Sequence, residues 1–279
     1  MIMNAFEKIV YALSKRVPTP VPFGTFHLIW LAVVILSTVA LCVFFRNSNE
    51  KTIKRIILIS WICMVIGEIY KQVVFSLSVT DGVASWAYKW HHFPFQLCAT
   101  PLYVFPLSIF CRGKFQKFIN AYISTFSLFG GLVVMIYPGD VFTATLGVNI
   151  QTMIHHGLQV AIGILLAINN RKELSFRNFL QSIPVFAVAV GSALILNIVV
   201  YNIFAAQGGE IPGFNMFYIS PYFPCTLPLV SLIYPIVPYP VFLLIYIIGF
   251  TVAALAVYYA IFGIYRLVLK VFNNEKQNN

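Results

Sequence analysis

The chain has 279 residues, of which 60% are hydrophobic and only 9% charged, and its mean hydropathy is +0.86. Soluble domains carry about 25% charged residues, so this composition demands stacked apolar runs and excludes an aqueous enzyme, a disordered tail, a disulfide-stapled secreted module and a nucleic-acid binder. The net charge of +10 comes from Lys and Arg in short clusters between the apolar runs, where they act as topology signals.

Residues 1–24 read as an amphipathic N-terminal arm. Ile2, Phe6, Ile9, Val10 and Leu13 recur at helical spacing against Glu7, Lys8, Lys15 and Arg16, the pattern of a helix lying on a membrane surface rather than of a signal peptide. Seven apolar runs follow, near 25–45, 56–78, 95–111, 118–138, 148–168, 178–204 and 239–265. Each can cross a hydrocarbon layer of ~30 Å at 1.5 Å per residue, the third being the shortest. The expected architecture is an all-α polytopic bundle of about seven transmembrane helices over 25–265, with a tail at 266–279. Segments after spans 1, 3, 5 and 7 hold 13 Lys and Arg against 4 on the opposite side. The positive-inside rule therefore puts the N-terminus outside and the C-terminus in the cytoplasm. Residues 205–238 carry Glu210 as their only charge, with six prolines among aromatics. Too apolar for a solvated loop and too proline-rich for a straight helix, this stretch is expected to fold back as a re-entrant segment or lid, hinged at Gly208, Gly209 and Gly213.

The polar residues inside the spans carry the functional reading. All five histidines fall toward the outer side: His27 opens span 1, His91 and His92 precede span 3, and His155 and His156 lie about two turns into span 5. Cys98 begins span 3, and Glu68 sits roughly 15 Å below the outer end of span 2. On span 5, Asn149, Gln151, Thr152, His155, His156 and Gln159 form one polar stripe, which must face protein or a water-filled cavity. Glu68 and Lys71, three residues apart on one helix face, are expected to pair. A thiol and an imidazole at one depth suit nucleophilic acyl transfer, because a buried thiol needs an adjacent base. The plainer readings are a small apolar filler for Cys98 and interhelical bonding for the histidines. Zinc binding is the weaker chemical alternative, since no H-x-H or H-x₃-H spacing is present. No metal or cofactor is expected.

These same residues carry a family resemblance. Phe93 to Leu102 (FPFQLCATPL), Tyr137-Pro138 and Gln151 to Gly157 (QTMIHHG) resemble the bacterial YwaF-like membrane proteins and, more distantly, the eukaryotic transmembrane protein 164 family. His27 in FGTFHLIWL, Glu68 to Lys71, Asn215 to Tyr218 and Pro238-Tyr239-Pro240 fit the same pattern. The eukaryotic branch is an acyltransferase remodelling ether phospholipids, and the resemblance extends to androgen-induced membrane hydrolases that use Thr with His. It implies a multi-pass protein of a bacterial cell membrane acting on phospholipids and lysophospholipids, with Cys98 as nucleophile and His156 as base. His155, Glu68, Gln96 and Lys71 would support that pair, and His27, Gln151, Gln159, Asn215 and Tyr218 would contact substrate. The rival expectation is a solute or proton-coupled transporter or channel, whose polar path would have to continue through the inner half of the bundle.

Overall fold

The computed structural model describes residues 5–80, 83–169, 175–208 and 210–277. Ile2 and Gly209, and Arg171 and Lys172 among the 13 counted cations, lie outside those ranges.

A short helix α1 (Ala5–Leu13) is followed by α2 (Thr25–Phe45) and α3 (Glu50–Ser76). Asn49 starts α3 by accepting from the Thr52 N–H at 2.9 Å, an N-cap that satisfies one of the free amides. Strands β1 (Leu77–Thr80) and β2 (Val83–Trp86) form an antiparallel hairpin that the hydropathy pattern does not reveal. Next come α4 (Pro101–Phe110), α5 (Gly113–Tyr122), a π-helical turn at Ile123–Ser127, and α6 (Leu128–Ile136). The chain continues through α7 (Leu146–Asn169), α8 (Phe176–Ala206), the short α9 (Val230–Ile233) and α10 (Tyr239–Gln277).

Among the described residues, six helical runs are long and apolar enough to cross a bilayer: α2, α3, Gly113–Ile136, α7, α8 and the Tyr239–Tyr265 part of α10. The protein is thus an all-α polytopic membrane bundle. At the third expected span the helix is shorter, with ten residues in α4 after one 3-10 turn at Leu97–Ala99, or about 15 Å of α-helix against ~30 Å of hydrocarbon. Pro94 and Pro101 explain this, because a proline lacks the N–H that an upstream turn would use, and Phe93 before Pro94 is held out of the helical region at φ -52°, ψ 129°. The irregular backbone above α4 is only partly buried, and side chains satisfy several of its carbonyls. Gln72 Nε2 donates to the His92 carbonyl at 2.7 Å, Tyr103 Oη to that of Pro94 at 3.0 Å, and His155 Nε2 to that of Cys98 at 3.1 Å. Non-helical backbone at membrane depth requires such partners.

The helix of lowest hydropathy, α7, lies inside the bundle, and more apolar helices lie outside it. Within their most apolar stretches, α7 is 78% buried and Gly113–Ile136 is 67% buried, whereas α2, α3, α8 and α10 are only 17–28% buried. The outer helices present Leu36, Phe44, Ile195 and Leu244 to their surroundings, as lipid-facing helices should. Helix α7 can carry its polar stripe because α2, α3 and α6 enclose it. Lipid tails are as apolar as leucine, so close packing rather than water exclusion holds such helices together. Gly157 is where α2 presses on α7: a Cβ there would lie 2.6 Å from Val34 Cγ2. Gly67 likewise admits Gln151 between α3 and α7.

The π turn follows from its hydroxyls. Ser124 Oγ and Thr125 Oγ1 donate back to the carbonyls of Asn120 and Ala121, which loosens the helical ladder. The stretch after α8 folds back into the bundle. Phe214, Met216, Phe217, Ile219 and Ser220 are all at most 1% exposed, and two side-chain amides clasp it. Asn197 bonds both the N–H and the carbonyl of Met216, while Gln96 accepts from Phe217 N and donates to Asn215 O. Phe217 and Tyr218 have φ of 56° and 57°, a strained conformation for side chains with a Cβ, and the clasps hold them in it.

Candidate active site

A cavity of about 200 Å³ lies in the half of the bundle that contains the C-terminal end of α3 and the N-terminal half of α7. Helix α3 contributes Glu68, Lys71 and Phe75, and the irregular segment before α4 contributes His91, His92, Gln96 and Cys98. Gln151, Thr152, His155 and His156 come from α7, Asp140 and Thr143 from the connection before it, and Tyr218 from the folded-back stretch.

Cys98 is partly accessible, at the 3-10 turn. That turn rests against α6, where a Cβ on Gly130 would lie 3.5 Å from Cys98 Cα. His155 Nε2 bonds the Cys98 carbonyl at 3.1 Å, and His156 Nδ1 bonds the Thr152 carbonyl at 2.7 Å. A carbonyl only accepts, so those two nitrogens carry the protons, and in each neutral ring the other nitrogen keeps a lone pair. His155 Nδ1 and His156 Nε2 are buried without a hydrogen-bond partner. His155 therefore fixes the backbone beneath the thiol, while His156 is oriented by its own helix and keeps a basic nitrogen uncommitted.

The Glu68 carboxylate takes Lys71 Nζ at 2.8 Å on one oxygen and Gln72 Nε2 at 2.6 Å on the other. His92 stacks on Phe75, with ring centroids 4.0 Å apart. Burial, then the neighbouring His91, Lys71 and Lys89, push the His92 ring down to about 4, and burial and Lys89 lower His91. Both rings are therefore neutral near pH 7, and the formal charges at the cavity are those of Glu68, Lys71 and Asp140. Burial raises the Tyr218 phenol to about 12, which keeps it a hydrogen-bond donor.

Three residues expected at the site lie elsewhere. His27 is fully buried and uses both nitrogens, accepting from Phe23 N at 2.8 Å and donating to Met135 O at 2.8 Å. It ties the start of α2 to the end of α6. Gln159 Nε2 donates to the Ser127 carbonyl at 2.7 Å and so supports the π turn. Asn215 organises its own loop, accepting from Ser220 N and donating to Pro224 O. Conversely, Gln72, Phe75, Asp140 and Thr143 belong to the site region without having been named for it. Gln72 lies one turn from Glu68, and Asp140 is the only carboxylate near Tyr137-Pro138, so both left a signal. Among the described residues, no group of three or more His, Cys, Asp or Glu is placed to hold a metal ion.

The sequence profile of the TMEM164 family matches residues 22–262. The chain belongs to the TMEM164 family. No curated protein and no solved structure matches it. The TMEM164 match begins just before α2 and ends within α10, so every cavity residue named above falls inside it.

Proposed function

We propose that this TMEM164-family protein is a thiol-dependent lipid acyltransferase of the YwaF-like bacterial branch, working in the cell membrane on phospholipids and lysophospholipids. The observation that carries the reading is the uncommitted, buried Nε2 of His156 in the same cavity as the partly accessible Cys98.

In the first half-reaction His156 Nε2 takes the Cys98 proton and the thiolate attacks the acyl carbonyl of a phospholipid. The ester C–O bond breaks, and the departing lysophospholipid oxygen takes the proton back from His156. In the second, an acceptor hydroxyl gives its proton to His156 and attacks the thioester; the C–S bond breaks and Cys98 recovers its proton. His155 positions the turn bearing Cys98, and Glu68 with Lys71 sets the local charge.

A transporter would need a polar path through the whole bundle. A second, polar cavity of about 300 Å³ does exist at the other end, lined by Ser108, Asn120, Ser124 and Leu166. From His156 to Leu166 along α7 is about 15 Å, and the intervening layer contains Met64, Phe105, Tyr122, Phe126 and Ile162, each at most 1% exposed. That layer weighs against continuous passage.

The deciding experiment is to trap a hydroxylamine-sensitive acyl group on purified protein incubated with labelled phospholipid. Wild type should be labelled and Cys98→Ala should not, and His156→Ala should lose labelling with its fold intact. Equal labelling of Cys98→Ala would sink the assignment.

A further inference from the structure

A second site lies at the opposite end of the bundle from Cys98. A cleft of about 840 Å³ opens between the first turns of α3 and the corner joining α4 to α5. Its walls carry Lys51, Lys54, Arg55 and Arg112, with Glu50 as their one carboxylate. Glu50 is already engaged by Lys54 at 2.9 Å and by Gln116 at 3.0 Å. Lys51, Arg55 and Arg112 are exposed and form no ion pair among the described residues, so the cleft has an uncompensated charge of three.

Basic residues at this end are expected from the topology rule alone, but that rule does not bring them together. Here two segments more than 50 residues apart in sequence converge on one cleft. The apolar surroundings specify the ligand further. Leu58 and Ile109 line the cleft, and Phe110 and Phe115 beside it are about three-quarters exposed. One and two turns beyond Arg55 on the same face of α3, an apolar stripe begins at Ile59 and Ile62 and runs on through Ile66 and Ile69, all of them exposed. This i, i+3, i+4 spacing keeps the stripe in line with Arg55. A soluble phosphate would leave that stripe unused, whereas a glycerophospholipid needs both a cationic seat for its phosphate and an apolar track for its chain.

We propose that this cleft binds one anionic phospholipid, its phosphate held by Arg55, Arg112 and Lys51 and an acyl chain lying along Ile59 to Ile69. Arginine suits the role because its planar fork matches phosphate oxygens. The bound lipid sits at the far end of the bundle from Cys98 and is a resident of the protein rather than its substrate.

The test uses full-length protein in mild detergent and counts bound lipid by native mass spectrometry, offering phosphatidylglycerol and phosphatidylcholine of identical chains. Wild type should retain one phosphatidylglycerol with at least tenfold preference. Arg55→Gln or Arg112→Gln alone should weaken it about fivefold, and the pair more than tenfold. Lys114→Gln, an exposed cation that does not line the cleft, should change nothing, and millimolar inorganic phosphate should not displace the lipid. Both arginines are exposed, so the variants should melt like wild type in phosphatidylcholine alone. Equal retention of the two lipids by wild type, an undiminished preference in the double variant, or an equal loss in Lys114→Gln would overturn the proposal. Displacement by phosphate would also overturn it, by making the ion the ligand.

Discussion

Replacing Glu68 by Gln tests whether the charged pair supports the cavity. The Glu68 side chain is 9% exposed and that of Lys71 20%, and they meet at 2.8 Å. Neutralising the carboxylate leaves the Lys71 ammonium without its counter-charge. Removing one partner of a buried pair costs about 3–5 kcal/mol. Lys71 keeps some accessibility and the cavity has room for water, so the lower end applies, about 3 kcal/mol. Changing both residues, Glu68→Gln with Lys71→Met, removes charge and partner together and should cost under about 1 kcal/mol. At roughly 2–4 °C per kcal/mol for a chain of this size, the single variant should melt about 6–12 °C below wild type and the double within a few degrees. Intrinsic fluorescence on heating in detergent gives both midpoints. Identical melting of the two variants would refute the reasoning and make Glu68 a candidate for proton handling instead.

Gly157→Ala puts a methyl 2.6 Å from Val34 Cγ2 and should cost ~1–3 kcal/mol by overpacking; adding Val34→Ala should restore the melting midpoint, and no rescue would mean that the two helices are not held at this point. The folded His92 ring titrates near 4, below its ordinary 6.5, so between those values the unfolded chain binds a proton that the folded one refuses. Stability should therefore fall as pH drops from 7 toward 4, and His92→Phe, which keeps a ring against Phe75, should flatten that slope in unfolding midpoints measured against pH. Gln96→Ala leaves Phe217 N and Asn215 O unpaired, at ~1–3 kcal/mol for each group. It should expose Cys225, now 4% accessible, to a small thiol reagent that wild type resists. Finally, in a Cys-free variant within intact cells, a cysteine placed near Asp140 should react with an impermeant thiol reagent and one near Lys114 should not; the reverse result would invert the expected orientation.

The spans were legible because lipid imposes one rule, a long apolar run, on each of α2, α3, α7, α8 and α10. The polar stripe of α7 was legible for the complementary reason, since polar groups at that depth need an interior to face. Legibility stopped where backbone geometry decides. A hydropathy window sees Phe95 to Cys111 as a span, but Pro94 and Pro101 leave the upper part non-helical, so that Cys98 sits on an irregular turn. It also stopped at His27, Gln159 and Asn215, whose side chains are as polar as those of the site yet spend their hydrogen bonds on backbone carbonyls and amides outside it. Only the partner distinguishes the two cases, and a partner 108 residues away, as Met135 is for His27, has no trace in local pattern.

The enclosure of α7 bears on how the chain can be made. Its stripe of Asn149, Gln151, His155, His156 and Gln159 would be left facing hydrocarbon if the helix entered a bilayer alone. The helices that shield it, α2, α3 and α6, all precede it in the chain. A ribosome feeding the membrane from the N-terminus therefore lays down the walls before the polar helix arrives, and the lipid-facing α8 and α10 follow. A circular permutation that moved α7 to the front would keep every contact of the finished bundle and deprive this helix of its shelter during synthesis.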